Sequence, residues 1–186
     1  MAPMKTPTLR GMITSAALAA LGIILPIAFH AVGLGAKFMP MVLVIMLSGF
    51  LAPWPWAMLA GAVTPMASAL LTGMPSVYPP FCLVMSLEMT LTAGLAALLY
   101  GGNRRRLWPA LLLTILFNRG LSLSLTYVLA GKFGLPPRVV SLVYFAQGLP
   151  GVALQLTVIP LVVSTLSRRK GILLFHDHES ETPVLQ

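Results

Sequence analysis

Apolar runs of about 20 residues, cut by Pro, Gly and short basic clusters, recur from residue 10 to residue 167. At 1.5 Å rise per residue, about 20 residues cross roughly 30 Å of hydrocarbon. Backbone polar groups placed there must be bonded within the protein, and a helix satisfies them inside its own segment. The pattern therefore predicts a helical bundle in a membrane. With 58% hydrophobic and 9% charged residues and a mean hydropathy of +0.91, the chain also lies far from the composition of a soluble domain.

The runs predict six helices, at 10–31, 38–52, 54–72, 80–100, 107–130 and 138–167. The fold class expected is all-α, a single bundle of six transmembrane helices over 10–167, with an N-terminal segment at 1–9 and a C-terminal tail at 168–186. The second helix, between Pro40 and Pro53, is short for a crossing, so it is either tilted or covered by neighbours. In the sixth, Pro150 between Gly148 and Gly151 is expected to kink or open the helix. "MAPMKTPTLR" before the first run is read as the start of a retained span rather than a cleaved signal.

The net charge of +8 sits in clusters between apolar runs, which excludes a nucleic-acid face and matches the positive-inside rule. Lys5, Arg10, Arg104, Arg105, Arg106, Arg168, Arg169 and Lys170 fall on one side, and Lys37, Lys132 and Arg138 on the other. Both termini are therefore expected in the cytoplasm, with Trp54, Trp56 and Trp108 at that interface. The Gly/Pro-rich loops carrying Lys37, Tyr78 and Lys132 then face outward, where they could form a lid.

Arg119 belongs to neither side: it lies in the middle of "LLTILFNRGLSLSLTYVLAG". Glu88 is the only acid inside any predicted span. Isolated burial of such groups costs several kcal/mol, so an ionisable residue within a membrane span marks a functional site by default. Counting residues puts Glu88 roughly 12 Å and Arg119 roughly 16 Å below the outer ends of their helices. Gln147 reaches a similar layer. With Asn118 beside the arginine, three helices offer a carboxyl, a guanidinium and two carboxamides at one height, which suggests a polar pocket open to the outside. The rival reading is an internal Glu88–Arg119 ion pair that only locks two helices.

Enzyme chemistry is not expected, because the chain has no HExxH, no GxSxG, no acid pair for a metal and no phosphate-cradling Gly-rich loop. No metal site and no cofactor are predicted. His30 at the outer end of the first helix reads as a snorkelling or capping residue, or as a ligand contact; His176 and His178 read as a solvated tail. The single cysteine, Cys82, reads as a small buried hydrophobe. On the first helix Ser15 with Ala19, and Ala16 with Ala20, form small-xxx-small pairs that suit either close packing inside the bundle or docking of another membrane helix.

Six spans in this length, the alanine-rich first helix, and the ordered segments "LPIAFHAVGLGAKFMPMVLVIMLSGFLAP", "TPMASALLTGMPSVYPP", "SLEMTLTAGLAALLY" and "QGLPGVALQLTVIP" resemble the S components of energy-coupling-factor (ECF) vitamin transporters, over residues 10–167. The resemblance implies a substrate-capture subunit in the prokaryotic cytoplasmic (inner) membrane. Such a subunit binds a water-soluble vitamin from outside and delivers it through a scaffold transmembrane subunit and two ATPase subunits that consume the ATP. It implies that Glu88, Arg119, Asn118, Gln147 and Tyr78 contact substrate, with Thr72–Pro80 bordering the pocket. It makes Ala16 and Ala20, then Ser15 and Ala19, the docking residues. Where members carry "PMHIPVLLAGF" this chain reads "PMVLVIMLSGF", so Val42 stands in place of a histidine. Several nutrients fit; Arg119 favours an anionic one such as pantothenate. A structural or assembly membrane protein is the alternative from another class, and a lone secondary carrier a third, although the two halves show no inverted repeat.

Overall fold

A computed structural model describes residues 9–76, 81–133 and 148–168. In chain order it has α1 (Leu9–Ala31), α2 (Gly35–Phe38), α3 (Pro40–Leu51), α4 (Trp54–Thr72), α5 (Phe81–Tyr100), a 3-10 turn (Arg104–Arg106), α6 (Leu107–Phe133) and α7 (Leu149–Arg168). There is no strand among the described residues. Five of these helices, α1, α4, α5, α6 and α7, are long and apolar enough to cross a membrane, as an integral membrane protein requires.

The second expected span, at 38–52, takes a different form. α3 has 12 residues and rises only about 18 Å. Every one of those residues is buried. α1, α4, α5 and α7 pack around it, so it meets protein on all sides and needs no length to match the bilayer. Small residues permit the closest approaches. A Cβ on Gly49 would lie 2.5 Å from the Ala93 carbonyl oxygen and 2.6 Å from the Ala96 Cβ, bringing α3 against the α5 backbone. On Gly61 it would lie 2.7 Å from the Met89 carbonyl, which brings α4 equally close. Phe50 and Tyr100, both fully buried, close the far end of this interface with ring centroids 5.4 Å apart. Buried hydroxyls turn back on their own helices: Ser48 donates to the Ile45 carbonyl at 2.7 Å and Thr64 to the Ala60 carbonyl at 2.6 Å.

α3 starts abruptly because of Pro40. A proline disfavours the helical conformation in the residue before it. Met39 accordingly adopts φ 46° and ψ 56°, in the left-handed region, ending α2 with a bond from its N–H to the Gly35 carbonyl at 3.1 Å. Pro40 then occupies the first position of α3, where its missing N–H has no acceptor to lose. Pro150 plays the same part in α7. It lies in the first turn of Leu149–Arg168, which follows a turn at Gly148, with the Val152 N–H bonded to the Gly148 carbonyl at 3.2 Å. Residues 138–147, expected to begin that helix, lie outside the described residues.

Helices consecutive in the chain run antiparallel, whereas α3 and α5, whose last turns meet at Phe50 and Tyr100, run parallel. The start of α1 meets the α3–α4 turn, where a Cβ on Gly11 would lie 2.7 Å from Pro53 Cδ. The arginine-bearing 3-10 turn and the last turns of α7 meet at the same end, lining one crevice through Arg104 and Ser164. The opposite end carries α2 and the Gly73–Ser76 turn.

The backbone contact at Gly61 yields a test. Gly61→Val is expected to destabilise the bundle by about 1–3 kcal/mol through overpacking. Gly120→Val, at a position with nothing within 4 Å among the described residues, is expected to leave the thermal unfolding midpoint in detergent close to that of the parent.

Candidate binding cavity

α3 stops short of the α2 end, and the helices around it enclose space there. The cavity measures about 760 Å³, within the range of small-molecule sites. Its walls are Pro26 and His30 of α1, Met39 and the first turn of α3 (Pro40, Met41, Val42), Ser68 and Thr72 of α4, Glu88 of α5, and Asn118, Arg119, Ser122 and Thr126 of α6.

The polar groups belong to two clusters. Asn118, 2% exposed, divides its two amide hydrogens: Nδ2 donates to Glu88 Oε1 at 2.9 Å and to Thr92 Oγ1 at 3.1 Å. The Ser122 hydroxyl, one turn further along α6, also reaches the Glu88 carboxyl. Arg119 forms the second cluster. Its Nη1 donates to Met39 Sδ at 3.1 Å and its Nη2 to the Gly148 carbonyl at 3.4 Å, tying α6 to the α2–α3 junction and to the start of α7. The charges of Glu88 and Arg119 act on each other across the cavity, but their hydrogen bonds go to these other groups and not to each other. A thioether is a weak acceptor for a guanidinium. A carboxylate or phosphate oxygen would form a shorter and stronger charge-assisted bond at the same atom. The first turn of α3 adds to this, since the N–H groups of Met41 and Val42 have no acceptor within their helix and carry its positive dipole end.

The structure thus brings together three of the residues singled out in the sequence, Glu88, Asn118 and Arg119. Gln147 and Tyr78 lie outside the described residues. His30 lines the cavity, its ring packed against Gly35, and Cys82 is buried. Val42, where the resembling family has a histidine, is also in the wall. On α1 the two small-residue pairs separate. Ser15 is buried and Ala19 packs on the core, so these two face inward, whereas Ala16 and Ala20 are exposed. Thr92, Ser122, Thr126 and Met39 are site residues that the sequence reading passed over. For two of them a signal existed: Asn118, Ser122 and Thr126 recur every four residues in "NRGLSLSLT", which puts them on one helix face.

Comparison of the chain with protein-family models, with curated proteins and with solved structures gives no match.

The Asn118 bridge is directly testable. Asn118→Leu removes the donor shared by Glu88 and Thr92 and is expected to cost about 1–3 kcal/mol, because a buried acceptor is left unmet. Adding Glu88→Leu to it removes the stranded carboxyl and is expected to restore part of that loss. Thermal unfolding of the four proteins as a double-mutant cycle reads the coupling.

Proposed function

We propose that this chain is the solute-capture subunit of an ATP-driven importer of the ECF type, binding a small anionic nutrient of the water-soluble vitamin class. The observation that carries the proposal is the convergence of Glu88, Asn118 and Arg119, from two helices, on one cavity of about 760 Å³ within a membrane bundle. Polar groups so placed in an apolar chain serve a polar ligand, whereas a purely architectural bundle has no use for ionisable groups gathered on one cavity.

In this reading the anionic group of the solute takes the Arg119 guanidinium from Met39 Sδ and lies beside the first turn of α3. A hydroxyl or amide N–H of the solute donates to Glu88, which Asn118 holds in position. Pantothenate, with a carboxylate at one end and hydroxyls at the other, suits both clusters. The cavity end faces outward and the end bearing Arg104–Arg106 faces the cytoplasm, following the charge count. The chain itself performs no chemistry: release is driven by ATP hydrolysed on two partner subunits, transmitted by a membrane scaffold that docks on the exposed Ala16 and Ala20 of α1.

Two experiments bear on this. A ligand at a hundred times its dissociation constant stabilises a protein by roughly 2.7 kcal/mol. Purified protein screened against a vitamin panel is therefore expected to show a raised unfolding midpoint with its solute. Arg119→Ala is expected to lose that rise while keeping its helical circular-dichroism spectrum; an unchanged affinity in the mutant would exclude the assignment. Separately, Ala16→Trp with Ala20→Trp is expected to abolish co-purification with the scaffold and ATPase subunits and leave solute binding intact.

A further inference from the structure

A second recess lies at the opposite end of the bundle and shares no residue with the cavity. It is a crevice of about 580 Å³ between the start of α6 and the last turns of α7. Leu107 on one side and Leu156, Pro160 and Leu161 on the other form its walls, and Arg104 and Trp108 stand at its mouth, one helical turn apart. Thr157 and Ser164 also line it, but their hydroxyls donate to the Ala153 and Leu161 carbonyls of their own helix. The walls therefore ask for an apolar occupant, along a length of about 12 Å from residue 156 to residue 164.

The mouth asks for an anion. Arg104, Arg105 and Arg106 are all exposed. Their turn is fixed by Asn103, whose side chain accepts the Arg105 N–H at 3.0 Å and whose carbonyl accepts the Arg106 N–H at 2.8 Å. Among the described residues the only carboxyl is that of Glu88, in the cavity at the other end. No described residue supplies a counter-charge here, and an exposed tryptophan beside the arginine marks headgroup depth.

We infer that this crevice binds one anionic phospholipid of the surrounding bilayer, its phosphate on Arg104 and the upper part of an acyl chain between Leu107, Leu156 and Leu161. Basic recesses between membrane helices at headgroup depth recognise acidic lipids by the same combination. The inference does not depend on which solute the cavity takes, nor on which leaflet this end faces.

The test uses full-length protein, stripped of lipid in a neutral detergent and titrated with phosphatidylglycerol or phosphatidylcholine of identical chains, with bound lipid counted by native mass spectrometry. Retention of one phosphatidylglycerol per chain, at least tenfold tighter than phosphatidylcholine, is expected. Arg104→Gln, which removes the charge, and Leu161→Trp, which fills the groove, are each expected to weaken that binding about tenfold, while Arg105→Gln changes it less than threefold. Equal binding of the two lipids would overturn the inference. So would an Arg105→Gln loss as large as that of Arg104→Gln, which means diffuse attraction, or displacement of the lipid by millimolar inorganic phosphate, which means a soluble-anion site.

Discussion

Twelve helical residues cannot reach across a bilayer, and α3 persists in one only because α1, α4, α5 and α7 surround it. That enclosure governs the rest. To get close enough, α5 brings its backbone against Gly49 of α3 and Gly61 of α4. Because α3 is short, its neighbours wall a cavity at the α2 end, and its own first turn borders that space. The site is thus a by-product of a helix that is too short, made usable by the polar residues that α5 and α6 aim into it.

Those polar residues are held by unequal means. Glu88 is fixed through Asn118, which is itself buried and bonded twice, so the carboxyl has a defined position whether or not a solute is present. Arg119 has among its partners a sulfur and a backbone carbonyl, the weaker of which sits on Met39. Met39 is also where the chain enters the left-handed region, at a cost of about 1–2 kcal/mol. Backbone strain gathers at sites that must hold an unusual geometry. Here it places a thioether where a ligand oxygen would be more strongly bound.

Much of this was legible in the sequence. The helices fall close to the apolar runs, and counting residues from helix ends put Glu88 and Arg119 at one depth. Depth counting gives height but not direction around a helix axis, which is why Asn118 read as a companion of Arg119 when its bonds run to Glu88 and Thr92 on α5. By spacing alone the same blindness to direction leaves Ser15 and Ala16 equivalent on α1, and only the family resemblance ranks Ala16 first; one faces the core and the other the outside. The sequence left α3 either tilted or covered by neighbours, and the structure shows it covered; apolarity alone could not choose, because a core helix and a lipid-facing helix are removed from water equally.

Backbone contacts through glycine leave no side-chain rotamer to rearrange where α3 and α4 meet α5. α7 packs on α2 and α3, and the crevice opens between it and the start of α6. The cavity lies along the seam between α5 and α6, with Glu88 on one helix and Arg119 on the other. A molecule that gripped both residues would be a clasp across that seam, joining α5 to α6 at the level of the cavity.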